Sequence, residues 1–126
     1  MNAESSCFRI AVDKKTVVVS PPEQVFRGRE AREFDKLLDR LRLKNYRRFV
    51  IDLASCNYVS SEGLGVIAAC WNWCHDQSNG RMALVLSNDP ANEVYNLFEI
   101  TGLSRVIGSA IQPSLQDALN YIRRFS

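Results

Sequence analysis

The stretch Phe49-Val50-Ile51-Asp52-Leu53, followed at Tyr58 by Tyr58-Val59-Ser60-Ser61-Glu62-Gly63-Leu64-Gly65, decides the fold class of this chain. Five residues broken only by Asp52 form an almost continuous apolar run, the pattern of a strand covered on both faces and therefore central and parallel. A long apolar segment, Gly63 to about Asn79, then has the length of a four-turn helix and stops at Asn79-Gly80. The junction between strand and helix places Ser61 at or near a helix start.

Outward from that junction the chain alternates between the two periodicities. Phe8-Arg9-Ile10-Ala11-Val12 and Thr16-Val17-Val18-Val19 flank the polar Asp13-Lys14-Lys15 and predict a strand pair. Pro21-Pro22 stops the second strand, and Phe34, Leu37, Leu38 and Leu41 recur on one face of a first helix over roughly Arg29 to Leu41. Met82 to Leu86 supplies another buried strand. Asp89 is the expected cap of a helix with Pro90 at its first position, with Val94, Leu97, Phe98 and Thr101 on one face and Gly102 at its end. Arg105-Val106-Ile107 is the expected short last strand, and Ser114 caps a final helix whose buried stripe is Leu115, Ala118, Leu119 and Ile122. This order specifies an α/β layered domain: a mixed sheet with an N-terminal strand pair, later strands made parallel by right-handed crossovers, and packed helices.

The 126 residues are 46% hydrophobic and 24% charged, which fits one domain, residues 1–126, with one core. A net charge of +2 demands neither nucleic acid nor an anionic membrane as partner. No run has the length of a membrane span and no secretory leader opens the chain, so the expectation is a cytoplasmic protein without membrane insertion. Four cysteines in such a compartment read as reduced thiols. Cys70 and Cys74 share a helix flank beside His75, but one helix flank supplies too few ligands, and no metal or cofactor is expected.

The segment Val50-Ile51-Asp52-Leu53 through Ser60-Ser61-Glu62-Gly63-Leu64 resembles the STAS domain of anti-sigma-factor antagonists, whose signature is an apolar strand, Asp-Leu, a short loop and Ser-x-Gly-Leu. Leu97-Phe98-Glu99-Ile100-Thr101-Gly102-Leu103 is similar to the family's Leu-x-x-x-Gly-Leu segment. The likeness covers the chain from Phe49 onward. It departs from the pattern at Ser60, where many antagonists have Asp, at Glu62, where a small residue is usual, and over Ser20-Pro21-Pro22-Glu23-Gln24-Val25-Phe26, which replaces a Gly-Glu-Leu-Asp type of loop.

The resemblance implies a single STAS-like domain acting as a phosphorylation-controlled binding module without enzymatic activity. Its implied partners are an ATP-binding, kinase-like anti-sigma factor and a phosphatase. Alignment on Gly63-Leu64 makes Ser61 the candidate phosphoacceptor, with Ser60 as the competing hydroxyl. The residues themselves permit a plainer reading, in which Ser60 is an N-cap and Ser61 a first-turn residue. The alternative function is a constitutive STAS regulatory subunit of a transporter ATPase or of another signalling output protein.

An ideal-helix projection puts Leu64, Ile67, Ala68, Trp71 and Cys74 on one face, with Val66, Ala69, Cys70 and Trp73 roughly opposite. Two apolar sides leave two readings open for the second: burial under a neighbouring helix, or a partner interface formed by Ser60, Ser61, Glu62, Gly63, Val66, Ala69 and Trp73. A serine-dependent enzyme is a third class. His75 lies about 20 Å from Ser61 along a straight helix, too far to activate it, and no Gly-x-Ser-x-Gly elbow or phosphate-binding loop is present. Arg40, Arg42, Lys44, Arg47 and Arg48 motivate a nucleic-acid reading, but no recognition motif accompanies them, so no direct nucleic-acid contact is expected.

Overall fold

Asp13 and Thr16 face each other across the turn Lys14-Lys15, and this two-residue connection sets the register of the first strand pair, β1 (Arg9–Asp13) and β2 (Thr16–Ser20). Both lysines adopt left-handed backbone, φ 49° and 74°, as a hairpin turn matched to the strand twist demands. The computed structural model describes residues 8–21, 25–87, 89 and 91–124; Pro22, Glu23, Gln24 and Pro90, singled out above, lie outside them.

After β3 (Val25–Phe26) the chain enters helix α1 (Gly28–Leu43), then β4 (Arg48–Asp52), β5 (Tyr58–Val59), α2 (Ser61–Asp76) and β6 (Arg81–Val85). Helices α3 (Glu93–Ile100) and α4 (Leu103–Ile107), a 3₁₀ turn at Gly108–Ala110, β7 (Ile111–Gln112) and α5 (Leu115–Arg123) complete it. The main sheet runs β1-β2-β4-β6-β7, antiparallel between β1 and β2 and parallel elsewhere. This is the mixed α/β sheet expected from the sequence. β4 is central as anticipated, with Phe49, Val50 and Ile51 at most 1% exposed.

Strand alternation divides the core. Val17, Val19, Phe49, Ile51, Met82 and Leu84 point to the side of α1 and α2, and Phe8, Phe26 and Phe34 meet there with ring centroids 5.4–5.7 Å apart. Val18, Val50, Ala83 and Val85 point to the other side, where Ala118 and Ile122 of α5 cover them. Each fully buried aliphatic or aromatic side chain contributes about 1.5–3 kcal/mol, so the larger cluster under α1 and α2 dominates the stability of the fold.

Several expectations require correction. The third helix begins at Glu93, not at Pro90: Asn92 is its cap, accepting the Val94 and Tyr95 amides at 2.8 and 3.3 Å. Asp89 instead accepts the Ala91 amide at 2.9 Å, a local turn that competes with a cap. Arg105-Val106-Ile107 is helical, because Gly102 (φ 80°) ends α3 and lets the chain restart at once as α4. The last strand lies beyond Gly108, where Ile111 pairs with Leu84. Helix α2 ends at Asp76, three residues before Asn79. Asn79 (φ 63°) and Gly80 make the turn into β6, and a Cβ on Gly80 would collide with the Cys74 carbonyl. Leu115 is 38% exposed and leaves the buried stripe of α5.

Candidate functional site

The site is built by a small parallel pair that carries no periodicity in the sequence. β3 and β5 pair Val25 with Tyr58 and Phe26 with Val59, and the Phe26 carbonyl accepts the Ser60 amide at 2.8 Å. Ser60 is thereby held in extended backbone (φ −78°, ψ 169°) at the N-cap of α2. Its Oγ accepts the Gly63 amide at 3.1 Å, satisfying one of the amides that a helix start leaves without an intrahelical partner.

With the cap made by Ser60, Ser61 occupies the first helical position with its side chain exposed. The hydroxyl stands at the positive end of the helix dipole beside amides that favour an anion. Glu62 follows, also exposed, and its carboxylate leans toward the start of α1: a Cβ on Gly28 would lie 2.6 Å from Glu62 Oε2. Gly28 therefore makes room for Glu62, whose charge sits at the N-terminal end of α1 as well as α2. That placement offers it two helix dipoles, each worth about 0.3–1 kcal/mol.

Gly63 does not belong to the surface. It is buried, and a Cβ there would meet the Phe26 ring at 2.5 Å and the Phe26 carbonyl and Val59 side chain at 3.0 Å. The Ser-x-Gly-Leu spacing thus has a packing cause. Glycine lets α2 close on β3, and Leu64, 9% exposed, faces the core one position on.

The buried side of α2 is Gly63, Leu64, Ile67, Cys70 and Cys74. Cys70, projected onto the second face, is fully buried with the first. Trp73 is half-buried against α1 and the sheet: its ring lies 6.3 Å from that of Phe49, edge-on, and the Arg42 guanidinium sits 4.6 Å over it. For Trp73 the packing is burial under a neighbouring helix, and Val66, also half-buried, packs on the same core. Ser61, Glu62, Gly65 and Ala69 form the outward strip.

Beside Ser61 opens a groove of about 410 Å³ between β5, the start of α2, and α3, lined by Tyr58, Ser60, Ser61, Leu64, Leu97 and Thr101 among others. Tyr58 is 47% exposed at its rim. The wall formed by Tyr58, Leu97 and Thr101 was not among the sequence-derived site residues. Its signal was the Leu97 to Leu103 segment, whose role becomes visible only once α3 is packed beside β5.

The other chemistry-bearing residues lie elsewhere. The Cys70 and Cys74 thiols are hydrogen-bonded to each other, and that bond together with burial pushes the Cys74 thiol well above its ordinary range. Burial likewise raises Cys56, opposed by a backbone hydrogen bond from Tyr58 and reinforced by the Glu30 charge. The Cys56 and Cys74 thiols are thereby held toward the neutral form in the folded protein. Among the described residues no three His, Cys, Asp or Glu side chains cluster to hold a metal. His75 is stacked on Trp71 with centroids 4.0 Å apart and its Nδ1 is 3.1 Å from the Trp71 carbonyl, at the opposite end of α2 from Ser61. No described helix is long and apolar enough to cross a membrane.

The comparisons with known proteins bear on this arrangement. The fold matches a candidate anti-sigma factor antagonist of Thermotoga maritima with a TM-score of 0.78, 24% identity, and coverage of 95% of this chain and 97% of that one. An anti-sigma factor antagonist of Mycobacterium paratuberculosis matches with a TM-score of 0.77, 22% identity and coverage of 98% and 99%. The Bacillus cell fate determinant SpoIIAA in its phosphorylated form matches with a TM-score of 0.69, 15% identity and coverage of 92% and 99%. No curated protein matches the chain in sequence. The STAS domain family model, in contrast, matches residues 8–118, from β1 into α5. With that match over most of its length, and with the β5–α2 junction built as described, the chain belongs to the STAS domain family.

Proposed function

We propose that this protein is a non-enzymatic binding module of the anti-sigma-factor-antagonist type, whose capture of an ATP-binding, kinase-like anti-sigma factor is switched by phosphorylation of Ser61 and restored by a phosphatase. The observation that carries the reading is the division of labour between two adjacent serines. Ser60 caps α2, and Ser61 is left exposed at the first helical position beside an open groove.

The energetics favour a switch that acts on the partner and not on the domain. A phosphate at Ser61 gains about 1 kcal/mol from the helix start. Repulsion from Glu62 in a solvated setting is of the same order, about 1.5–2 kcal/mol at 4 Å in water for a phosphate of nearly two charges. The two largely offset each other, so the modification changes the stability of the fold by about 1 kcal/mol or less. Covering the same phosphate with a partner surface that offers no compensating charge costs several kcal/mol, enough to change occupancy by orders of magnitude. Glu62, turned toward Gly28, and the outward Ala69 extend the contact surface, with Val66 along its margin; Gly63 supports it from below.

The test is a pull-down from the source organism with wild type, Ser61→Ala and Ser61→Asp, followed by mass spectrometry of captured proteins and phosphosites. Capture of an ATP-binding anti-sigma factor by wild type and Ser61→Ala, at least about 100-fold weaker for Ser61→Asp, with phosphate on wild-type Ser61, is the expected result. Equal capture by all three and no phosphate overturns the switch and leaves the constitutive regulatory subunit of a transporter ATPase or signalling protein.

A further inference from the structure

We infer that the β1 edge of the sheet is a self-association surface, on which β1 of a second copy pairs antiparallel with β1 about a two-fold axis at Ala11. Among the described residues β1 ends the sheet order, and its register with β2 runs unbroken from Arg9↔Ser20 to Asp13↔Thr16, with no bulge and no proline. Of the usual devices that protect an edge, a bulge and a proline are absent from this strand, and its charges, Arg9 and Asp13, stand at its two ends. The two lysines that could serve stand in the turn beyond it. Ile10 and Val12 are 44% and 54% exposed, both on the sheet face of their partners Val19 and Val17.

The backbone phase selects the pairing. In a hairpin with a two-residue turn the flanking pair, Asp13 and Thr16, exchanges hydrogen bonds. Arg9, Ala11 and Asp13 thus direct their amides and carbonyls at β2, whereas Ile10 and Val12 direct theirs outward. An antiparallel neighbour must oppose outward residues with outward residues. Centring on Ala11 does this twice, placing Ile10 against Val12 of the second copy and Val12 against its Ile10, with four backbone hydrogen bonds.

The side chains agree with the same register. Arg9 then opposes Asp13 of the second copy at both ends of the strand, and the four exposed apolar side chains pack together on one face. Asp13 already receives Arg123 of α5 on Oδ2 at 2.7 Å, which leaves its Oδ1 to face Arg9 of the second copy. The other in-phase registers lack this match. Centring on Ile10 sets Arg9 against Ala11, and centring on Val12 sets Ile10 against Lys14 and Asp13 against Ala11. The contact is isologous and closed, so it yields a dimer. Helix α2 packs on α1 and β6, away from this edge, so both Ser61 sites stay open.

Sedimentation velocity of the full chain tests the idea. The wild type is expected to rise from 14.3 kDa toward twice that mass as concentration increases, and Ile10→Lys is expected to return it to monomer with its melting curve preserved. Arg9→Asp and Asp13→Arg should each weaken self-association about tenfold, because each places like charges opposite one another at both ends. Mixed in equal amounts, the two variants should associate with each other, since every end then pairs opposite charges again. A monomer at all concentrations up to about 1 mM, a dimer indifferent to Ile10→Lys, or a mixture that associates no better than its components overturns the proposal.

Discussion

The two ends of helix α2 differ in how their polar groups are employed. At the far end, cations are engaged with backbone: Arg47 Nη1 donates to the Ser78 carbonyl at 3.3 Å and Arg48 Nε to the Asn79 carbonyl at 3.2 Å, and Arg42 lies on Trp73 and 3.4 Å from Asp39. All four non-glycine residues with left-handed backbone, Lys14, Lys15, Asn45 and Asn79 among the described residues, are in connections at that end of the sheet. At the near end one serine does the capping and its neighbour is left with nothing structural to do. Within the basic stretch that suggested nucleic acid, Arg47 and Arg48 thus tie down carbonyls of the turn between α2 and β6, and Arg42 is occupied by Trp73 and Asp39. The hydroxyl at the other end has no comparable structural occupation.

Substitutions can break or sharpen this contrast. The largest expected effect is at Gly63, where valine would drive into the Phe26 ring and carbonyl; Gly63→Val is expected to lose about 3 kcal/mol in chemical denaturation. Trp73→Ala, which removes a half-buried ring and its guanidinium contact, is expected to cost about 2 kcal/mol. Its stability loss, measured beside partner capture, separates packing from interface. Ser60→Ala is expected to cost about 1 kcal/mol through the lost cap, whereas Ser61→Ala stays within about 0.5 kcal/mol. Equal losses for the two serines would remove the division of labour on which the proposed switch rests. Arg47→Gln and Arg48→Gln are expected to cost about 0.5 kcal/mol each, with a loss that shrinks as salt is added.

A last effect is absent at neutral pH. The raised Cys56 and Cys74 thiols remain protonated in the folded protein while the unfolded chain ionises at about pH 8.5. Unfolding then releases protons, so stability is flat below that pH and falls as pH rises above it. Denaturation curves from pH 7 to 10 in reducing buffer should show the decline, and replacing Cys74 by Ala should reduce its slope.

Much of this molecule was legible in the sequence where a pattern repeats. Alternation from Phe8 to Val12 and the apolar runs at Val17 and Phe49 gave strands, and the 3.6-residue spacing of Phe34, Leu37, Leu38 and Leu41 gave α1. β3 and β5 were invisible because two-residue strands have no period to detect, yet they seat the N-cap of α2. Val106-Ile107 reads as strand by local preference, and Gly102 and Gly108 on either side override it. Asp89 and Asn92 are equally good caps on paper, and tertiary contact decides between them, since the Asn92 side-chain amide also reaches the Cys56 carbonyl at 3.3 Å. The same limit applies to α2. A projection finds two apolar sides but cannot say that α1 covers Trp73 and leaves Ala69 outside.

The Lys14-Lys15 turn bears on how firmly the edge of the sheet is held. Asparagine and glycine adopt that backbone readily, whereas a left-handed lysine costs roughly 1–2 kcal/mol, so the β1–β2 hairpin does not hold itself together. β2 is also paired with β4 across the α1 crossover, whereas β1 pairs only with β2 among the described strands. An exposed edge strand held by one neighbour opens more readily than the buried centre of the sheet, and amide exchange along β1 should run well ahead of that in β4.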